Sequence, residues 1–166
     1  MVNIKFAKVK PNALIPSKRD EDAGWDIYPC FDEEYMIIYP NETKLVPTGI
    51  CSAFDKEWVF ILKERGSTGS RGIGQRAGII DSGFRGEWFV CVTNHNNAPI
   101  VLGDESAYKR DNIIMSHGTV FYPKTKAIAQ ALLLPVPEVE VEECTYDEIQ
   151  AIKSERGSGI IGSSGK

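Results

Sequence analysis

Hydrophobic positions along the 166-residue chain come in short bursts separated by polar turns, not in long stripes. Runs rich in Val, Ile, Tyr, Phe and Trp cover 3–9, 35–39, 44–47, 58–62, 88–93, 118–121 and 127–136, with Gly, Pro, Asn or Asp at their borders. β-Branched and aromatic side chains fit a pleated sheet and the bordering residues supply turn geometries, so each run reads as a strand. Repeated short strands without a helical period between them predict an all-β sandwich or barrel. The pattern predicts one helix, over 145–153, where Thr145 and Glu148 stand at capping-box spacing ahead of Ile149 and Ile152. Neither a repeat nor a linker divides the chain, which reads as one β domain over 1–154 with an extended insert region at 94–126 and a glycine-rich tail over 155–166.

Composition narrows the possibilities. With 42% hydrophobic and 25% charged residues the chain has the balance of a globular protein, which disfavours disorder and coiled coil. The longest apolar runs, such as Trp58 to Leu62 and Trp88 to Val92, have five residues, far short of the roughly 18 that span a bilayer, so no membrane partner is expected. The amino-terminal stretch lacks the apolar segment of a secretory signal, and the expected compartment is the cytoplasm. Cys30, Cys51, Cys91 and Cys144 form no CxxC pair and read as reduced, mostly buried thiols. His95 and His117 stand 22 apart without a neighbouring cysteine, which argues against zinc and against histidine-based nucleophilic catalysis. A net charge of −4 argues against direct nucleic-acid binding, while a small anionic ligand needs only local positive charge.

That local charge is visible. Of 15 glycines, seven lie between Gly66 and Gly86 and four between Gly157 and Gly165. Arg65, Arg71, Arg76, Arg85 and Arg156, five of the chain's seven arginines, fall in or beside the same segments. Backbone that permits close approach, combined with guanidinium forks, suits a polyphosphate. Two phosphate-binding look-alikes fail on context. GIGQRA at 72–77 matches a dinucleotide fingerprint but leads into Gly78, Ile79, Ile80 and Asp81 instead of a helix, and the terminal GSSGK lacks the first glycine of a Walker loop. Among the carboxylates Asp81 stands out, set between an apolar entry and a Ser82-Gly83 turn with Phe84 and Arg85 beside it. A hairpin with an acid at its mouth can hold a flat ligand against the ring and place a water on the carboxylate.

Five ordered strings carry a resemblance: AGWDI from Ala23, ERGSTG from Glu64, GIIDSGFRG from Gly78, AIAQ from Ala127 and ERGSGIIGSSGK from Glu155. Together they resemble the motifs of the trimeric dUTPases, the dUTP nucleotidohydrolases, over nearly the whole chain. The resemblance implies a jelly-roll-like fold, a homotrimer with active sites shared between subunits, a carboxyl-terminal tail closing over a neighbour's site, and Mg²⁺ on the triphosphate. It implies that dUTP is hydrolysed to dUMP and pyrophosphate, limiting uracil incorporation into DNA and supplying dUMP for dTMP synthesis. By the same resemblance Asp81 is the general base for the attacking water and Phe84 packs on the deoxyribose. Gly78, Ile79 and Ile80 read the uracil edge with Gln75 assisting. Arg65, Gly66, Ser67, Thr68, Gln130, Arg156, Gly162, Ser163 and Ser164 match phosphate-side and tail positions, Ile161 covers the base, and Asp26 meets the metal through water.

Some positions depart from the family pattern. Gly66 separates Arg65 from the serine, Ala127 replaces a basic residue, and Ile160 and Ile161 stand where glycine and phenylalanine are usual. The connection at 94–126 is longer than usual and reads as a decorated surface loop, its alternative use being a docking surface for a protein partner. A nucleotide-dependent regulatory protein on the same fold is therefore the competing function. dCTP deaminase, which shares the fold, is disfavoured because Cys91 occupies the register of its catalytic glutamate.

Overall fold

Period-two burial governs the strands of the computed structural model, which describes residues 2–111 and 117–158. In chain order the first strands are β1 (Ile4–Lys8), β2 (Gly24–Ile27), β3 (Tyr35–Ile38), β4 (Thr43–Pro47), β5 (Ile50–Phe54) and β6 (Trp58–Lys63). After the single-turn helix α1 (Gly66–Gly69) come β7 (Ile73–Arg76), β8 (Ile79–Ile80), β9 (Phe89–Asn94) and β10 (Ile100–Gly103). The chain continues through α2 (Glu105–Arg110), β11 (Val120–Tyr122), β12 (Ala129–Pro135) and α3 (Tyr146–Ala151). The protein is mostly β, as the hydrophobic pattern predicts.

Among the described residues the strands form four small sheets, ordered β1-β5, β11-β10-β3, β2-β12-β6-β8 and β4-β9-β7. Ile50, Ser52 and Phe54 of β5, Phe60 and Leu62 of β6, and Val90 and Val92 of β9 point inward, with half-buried or exposed residues between them. These inward faces meet in an aromatic cluster: Phe60 lies 5.2 Å from Phe54, 5.2 Å from Trp88 and 5.6 Å from Trp25, mostly edge-on. Edge-to-face contact sets the positive rim of one ring on the negative face of another, which fixes orientation as well as burying area. The indole of Trp88 is fully buried, and its N–H donates to the Ser52 hydroxyl at 3.2 Å.

Within the segment expected as a surface loop, β10 and α2 form in addition to the strand expected at 118–121, which is a correction. β10 pairs antiparallel with β3 and parallel with β11, in register Ile100 with Val120. Parallel neighbours need a crossover, and α2 lies in it. Its N-cap Asp104 accepts from the Ser106 and Ala107 amides, and Tyr108 is buried edge-on between Tyr35 and Phe121 at 5.4 and 5.6 Å. With α2 over the sheet, Ile100, Val101 and Leu102 are all fully buried.

Two further corrections concern element count. The prediction of a single helix misses α1 and α2, both shorter than two turns and defined by caps instead of periodicity. The hydrophobic runs also do not mark the strands β2, β5, β7, β8 and β10, since glycine and polar residues interrupt most of them. Helix α3 forms as expected: Thr145 Oγ1 accepts from the Glu148 amide at 3.3 Å, and the Glu148 carboxylate accepts from the Thr145 amide at 2.7 Å. The β body ends at Val136, and the residues from Pro137 onward, including α3, form a separate unit. No strand is formed between Pro135 and α3. Among the described residues no helix is long and apolar enough to cross a membrane.

Candidate active site

Strand β12 is central in its sheet and gathers three of the sequence motifs. Its Gln130 lies opposite Asp26 of β2 on one side and Lys63 of β6 on the other. Where β6 ends, the chain turns into α1 and Arg65 reaches back to Asp26, Nε to Oδ1 at 2.9 Å and Nη2 to Oδ2 at 3.4 Å. This two-pronged contact uses the planar guanidinium fork and holds it at a fixed angle. Gln130 Nε2 donates to the Glu64 carbonyl at 2.7 Å, tying β12 to the start of the same turn. Arg65, Gly66, Ser67, Asp26 and Gln130 thereby line one groove of about 890 Å³. Thr68 does not join them. It is fully buried, accepts from the Arg65 amide at 3.0 Å and donates to the Arg65 carbonyl at 3.1 Å, so its hydroxyl shapes the turn that presents Arg65.

A second, smaller pocket of about 280 Å³ surrounds Asp81, lined by Gly78, Ile79, Ile80 and Phe84 with Leu45, Glu87, Phe89 and Cys91. It shares no lining residue with the groove. The expected closed hairpin is corrected here: β7 pairs with β9, whereas β8 pairs with β6 in another sheet. Ala77 and Gly78 make the change of sheet through consecutive left-handed conformations, at φ 55° and 105°. Gly78 is needed for space as well, because a Cβ there would lie 2.9 Å from the Leu62 carbonyl oxygen while the Gly78 carbonyl accepts from the Leu62 amide at 2.8 Å.

After β8 the chain reverses over 81–84, with the Phe84 amide donating to the Asp81 carbonyl at 3.0 Å. The Arg85 guanidinium folds back onto the Ser82 and Phe84 carbonyls and braces this turn. Phe84 lies against Gly86, where a Cβ would come within 2.7 Å of the ring, so glycine there leaves room for the ring. Buried Trp88 then anchors the segment to the core. Among the described residues no hydrogen bond or ion pair engages the exposed Asp81 carboxylate, which leaves both oxygens open to a ligand or water.

Glu64 joins the two halves. Its carboxylate accepts the Gln75 amide at 2.9 Å, and its carbonyl holds Gln130. The Gln75 amide, followed by the residue's own backbone N–H and Lys63, holds the Glu64 carboxyl below its ordinary range. Gln75 Nε2 donates to the Arg76 carbonyl at 2.6 Å, while its buried Oε1 has no partner in the described structure. An unfilled buried acceptor beside Gly78 is a place for a donor from water or ligand. Sequence reasoning had not singled out Glu64, nor Lys18, Arg19, Glu21 and Asp22 on the groove. The KRDED run immediately before AGWDI was the available signal for the latter.

Arg156 is exposed in the second unit, its amide within 3.3 Å of the Ser154 hydroxyl. Ile161, Gly162, Ser163 and Ser164 lie outside the described residues. All four cysteines are free, with Cys30 buried, Cys51 and Cys91 half-buried and Cys144 exposed. Both histidines are exposed, and among the described residues no cluster of three His, Cys, Asp or Glu side chains is arranged to cage a metal.

The chain is similar to known proteins. A dUTPase family model matches residues 10–106. The chain is 30% identical to the deoxyuridine 5'-triphosphate nucleotidohydrolase of Clostridioides difficile, covering 99% of both chains. It is 32% identical to that of Nautilia profundicola, covering 99% of this chain and 100% of the relative. Among solved structures it is similar in fold to the dUTPase of Staphylococcus bacteriophage 80alpha with dUPNHPP, at a TM-score of 0.74 and 22% identity over 99% of each chain. With the family model and these relatives in agreement, the chain belongs to the dUTPase family.

Proposed function

We propose that this protein hydrolyses dUTP to dUMP and pyrophosphate, by attack of a water on the α-phosphorus. The observation that carries the reading is the pairing, on one chain, of a pocket holding an unengaged carboxylate beside an aromatic ring with a separate groove holding a guanidinium fork, an amide and a hydroxyl. Asp81 takes the proton of the attacking water, a contribution of about 10²- to 10⁴-fold. Phe84 packs on the deoxyribose and excludes a ribose 2′-hydroxyl by contact. Backbone groups of Gly78, Ile79 and Ile80 meet the uracil edge, and the tight turn at Ala77 and Gly78 leaves no room for thymine's methyl. Arg65, Ser67 and Gln130 receive the phosphates, with Gly66 permitting close approach and Arg156 and the tail residues closing from a neighbour.

Because the two half-sites share no residue, we infer that copies of the chain complete one another in a homotrimer with a jelly-roll-like subunit. Mg²⁺ fits this donor set as an ion carried in on the phosphates. Asp26, already held by Arg65, would touch it through water, and the ion would supply charge neutralisation. The reaction belongs in the cytoplasm, where it keeps uracil out of DNA and provides dUMP for dTMP synthesis. Deamination is disfavoured by the position of Cys91 on β9 and by Glu87, whose carboxylate accepts the Gly49 amide at 2.7 Å. Pyrophosphate release from dUTP, dCTP, dTTP and UTP with Mg²⁺ tests the assignment. Selective release from dUTP, lost in Asp81→Ala, is expected; equal release from dCTP or full activity of the variant would sink it.

A further inference from the structure

We propose that Lys18 is an additional contact for the phosphates beyond the first, a role that none of the five motifs marks. The inference rests on the dUTP reading and adds to it a residue that sets affinity for the length of the phosphate chain. The carbonyl of Ser17 accepts the Asp26 amide at 2.8 Å in an isolated bridge, which pins the chain beside β2 and starts Lys18 at the groove. The Lys18 ammonium sits 5.2 Å from the centre of the Trp25 ring, and Trp25 itself is fixed by edge-on contact with Phe60 at 5.6 Å. A cation over an indole face is held by the ring quadrupole without losing its charge.

The groove carries three cations, and their partners differ. Arg65 is engaged by Asp26, and Arg19 by both oxygens of Asp22 at 2.8 and 3.0 Å. Lys18 has no carboxylate partner among the described residues and donates only to the carbonyls of Arg19 and Asp20, at 3.2 and 3.4 Å. An ammonium has three N–H donors, so one remains for a ligand. A polyphosphate must compete with Asp26 and Asp22 for the guanidinium groups, whereas Lys18 makes no ion pair among the described residues and touches Asp22 only through its field. The groove is separate from the Asp81 pocket where the nucleoside and first phosphate are placed, which assigns Lys18 to the remainder of the chain.

The test compares wild type, Lys18→Ala and Lys18→Arg for kcat and KM with dUTP and for inhibition by dUMP. Lys18→Ala is expected to raise KM for dUTP about tenfold, the scale of one charge-assisted hydrogen bond, while leaving kcat and the dUMP inhibition constant within about twofold. Lys18→Arg restores KM. An unchanged KM in Lys18→Ala, equal weakening of dUMP and dUTP, or failure of arginine to restore KM would overturn the role of Lys18 alone. Absence of dUTP turnover in the wild type would overturn the underlying activity, and this contact with it.

Discussion

Gly78 shows how one residue is fixed by two constraints at once. Its φ of 105° is a conformation that L side chains avoid, and its missing Cβ leaves room for the Leu62 carbonyl. Gly78→Ala is expected to lose about 1–3 kcal/mol of stability, read as a lowered Tm in thermal unfolding. Gly83→Ala is the matched control, because nothing lies within 4 Å of a Cβ there. Equal melting of the two variants would show that the change of sheet at Ala77 and Gly78 tolerates a side chain. Thr68 teaches a related lesson: a hydroxyl in a phosphate-binding string can be consumed by the backbone, and its contribution is then the angle at which Arg65 leaves the turn.

At the scale of elements, the site depends on strands from different sheets being held in mutual register. β8 leaves β7 to join β6, and Glu64 at the end of β6 reaches back to Gln75 of β7, so one carboxylate spans the break that the change of sheet creates. Because the folded protein depresses the Glu64 pKa below its ordinary 4.5, this carboxylate stabilises the fold above that pH, and the contribution fades as pH falls through the folded value. Glu64→Gln keeps an acceptor for the Gln75 amide but removes the titration. The variant is therefore expected to melt lower than wild type near neutrality and to show a shallower loss of Tm as the pH drops below about 4.5. Parallel acid limbs in the two proteins would show that the Gln75 contact carries no pH-dependent stability. The insert follows the same logic of elements: α2 supplies the crossover that a parallel β10-β11 pair requires, and Tyr108 seals it between Tyr35 and Phe121.

For the whole molecule, the proposed homotrimer makes a specific prediction, because the Asp81 pocket and the Arg65 groove have no lining residue in common. If each site takes its carboxylate from one copy and its guanidinium from another, Asp81→Asn and Arg65→Ala are each inactive alone but complementary when mixed. After joint refolding at equal amounts, random assortment is expected to restore about a quarter of the wild-type sites. Activity that stays at the level of the separate variants would place both residues of a working site on one chain.

The sequence by itself determined the mostly β character, the capped helix after Thr145 and the family, because short runs of β-branched and aromatic residues, a capping box and ordered motifs are local patterns. It also singled out Asp81, Phe84 and Arg65 as types suited to their chemistry. Only the tertiary structure decided that β10, α2 and β11 pack together within 94–126, burying Ile100, Val101, Leu102 and Tyr108. Only the tertiary structure separated Ser67 on the groove from Thr68 in the turn, replaced a hairpin with a change of sheet, and brought Lys18 and Glu64 to the site. These features depend on which distant strands pair, and β pairing joins residues whose separation along the chain leaves no local trace.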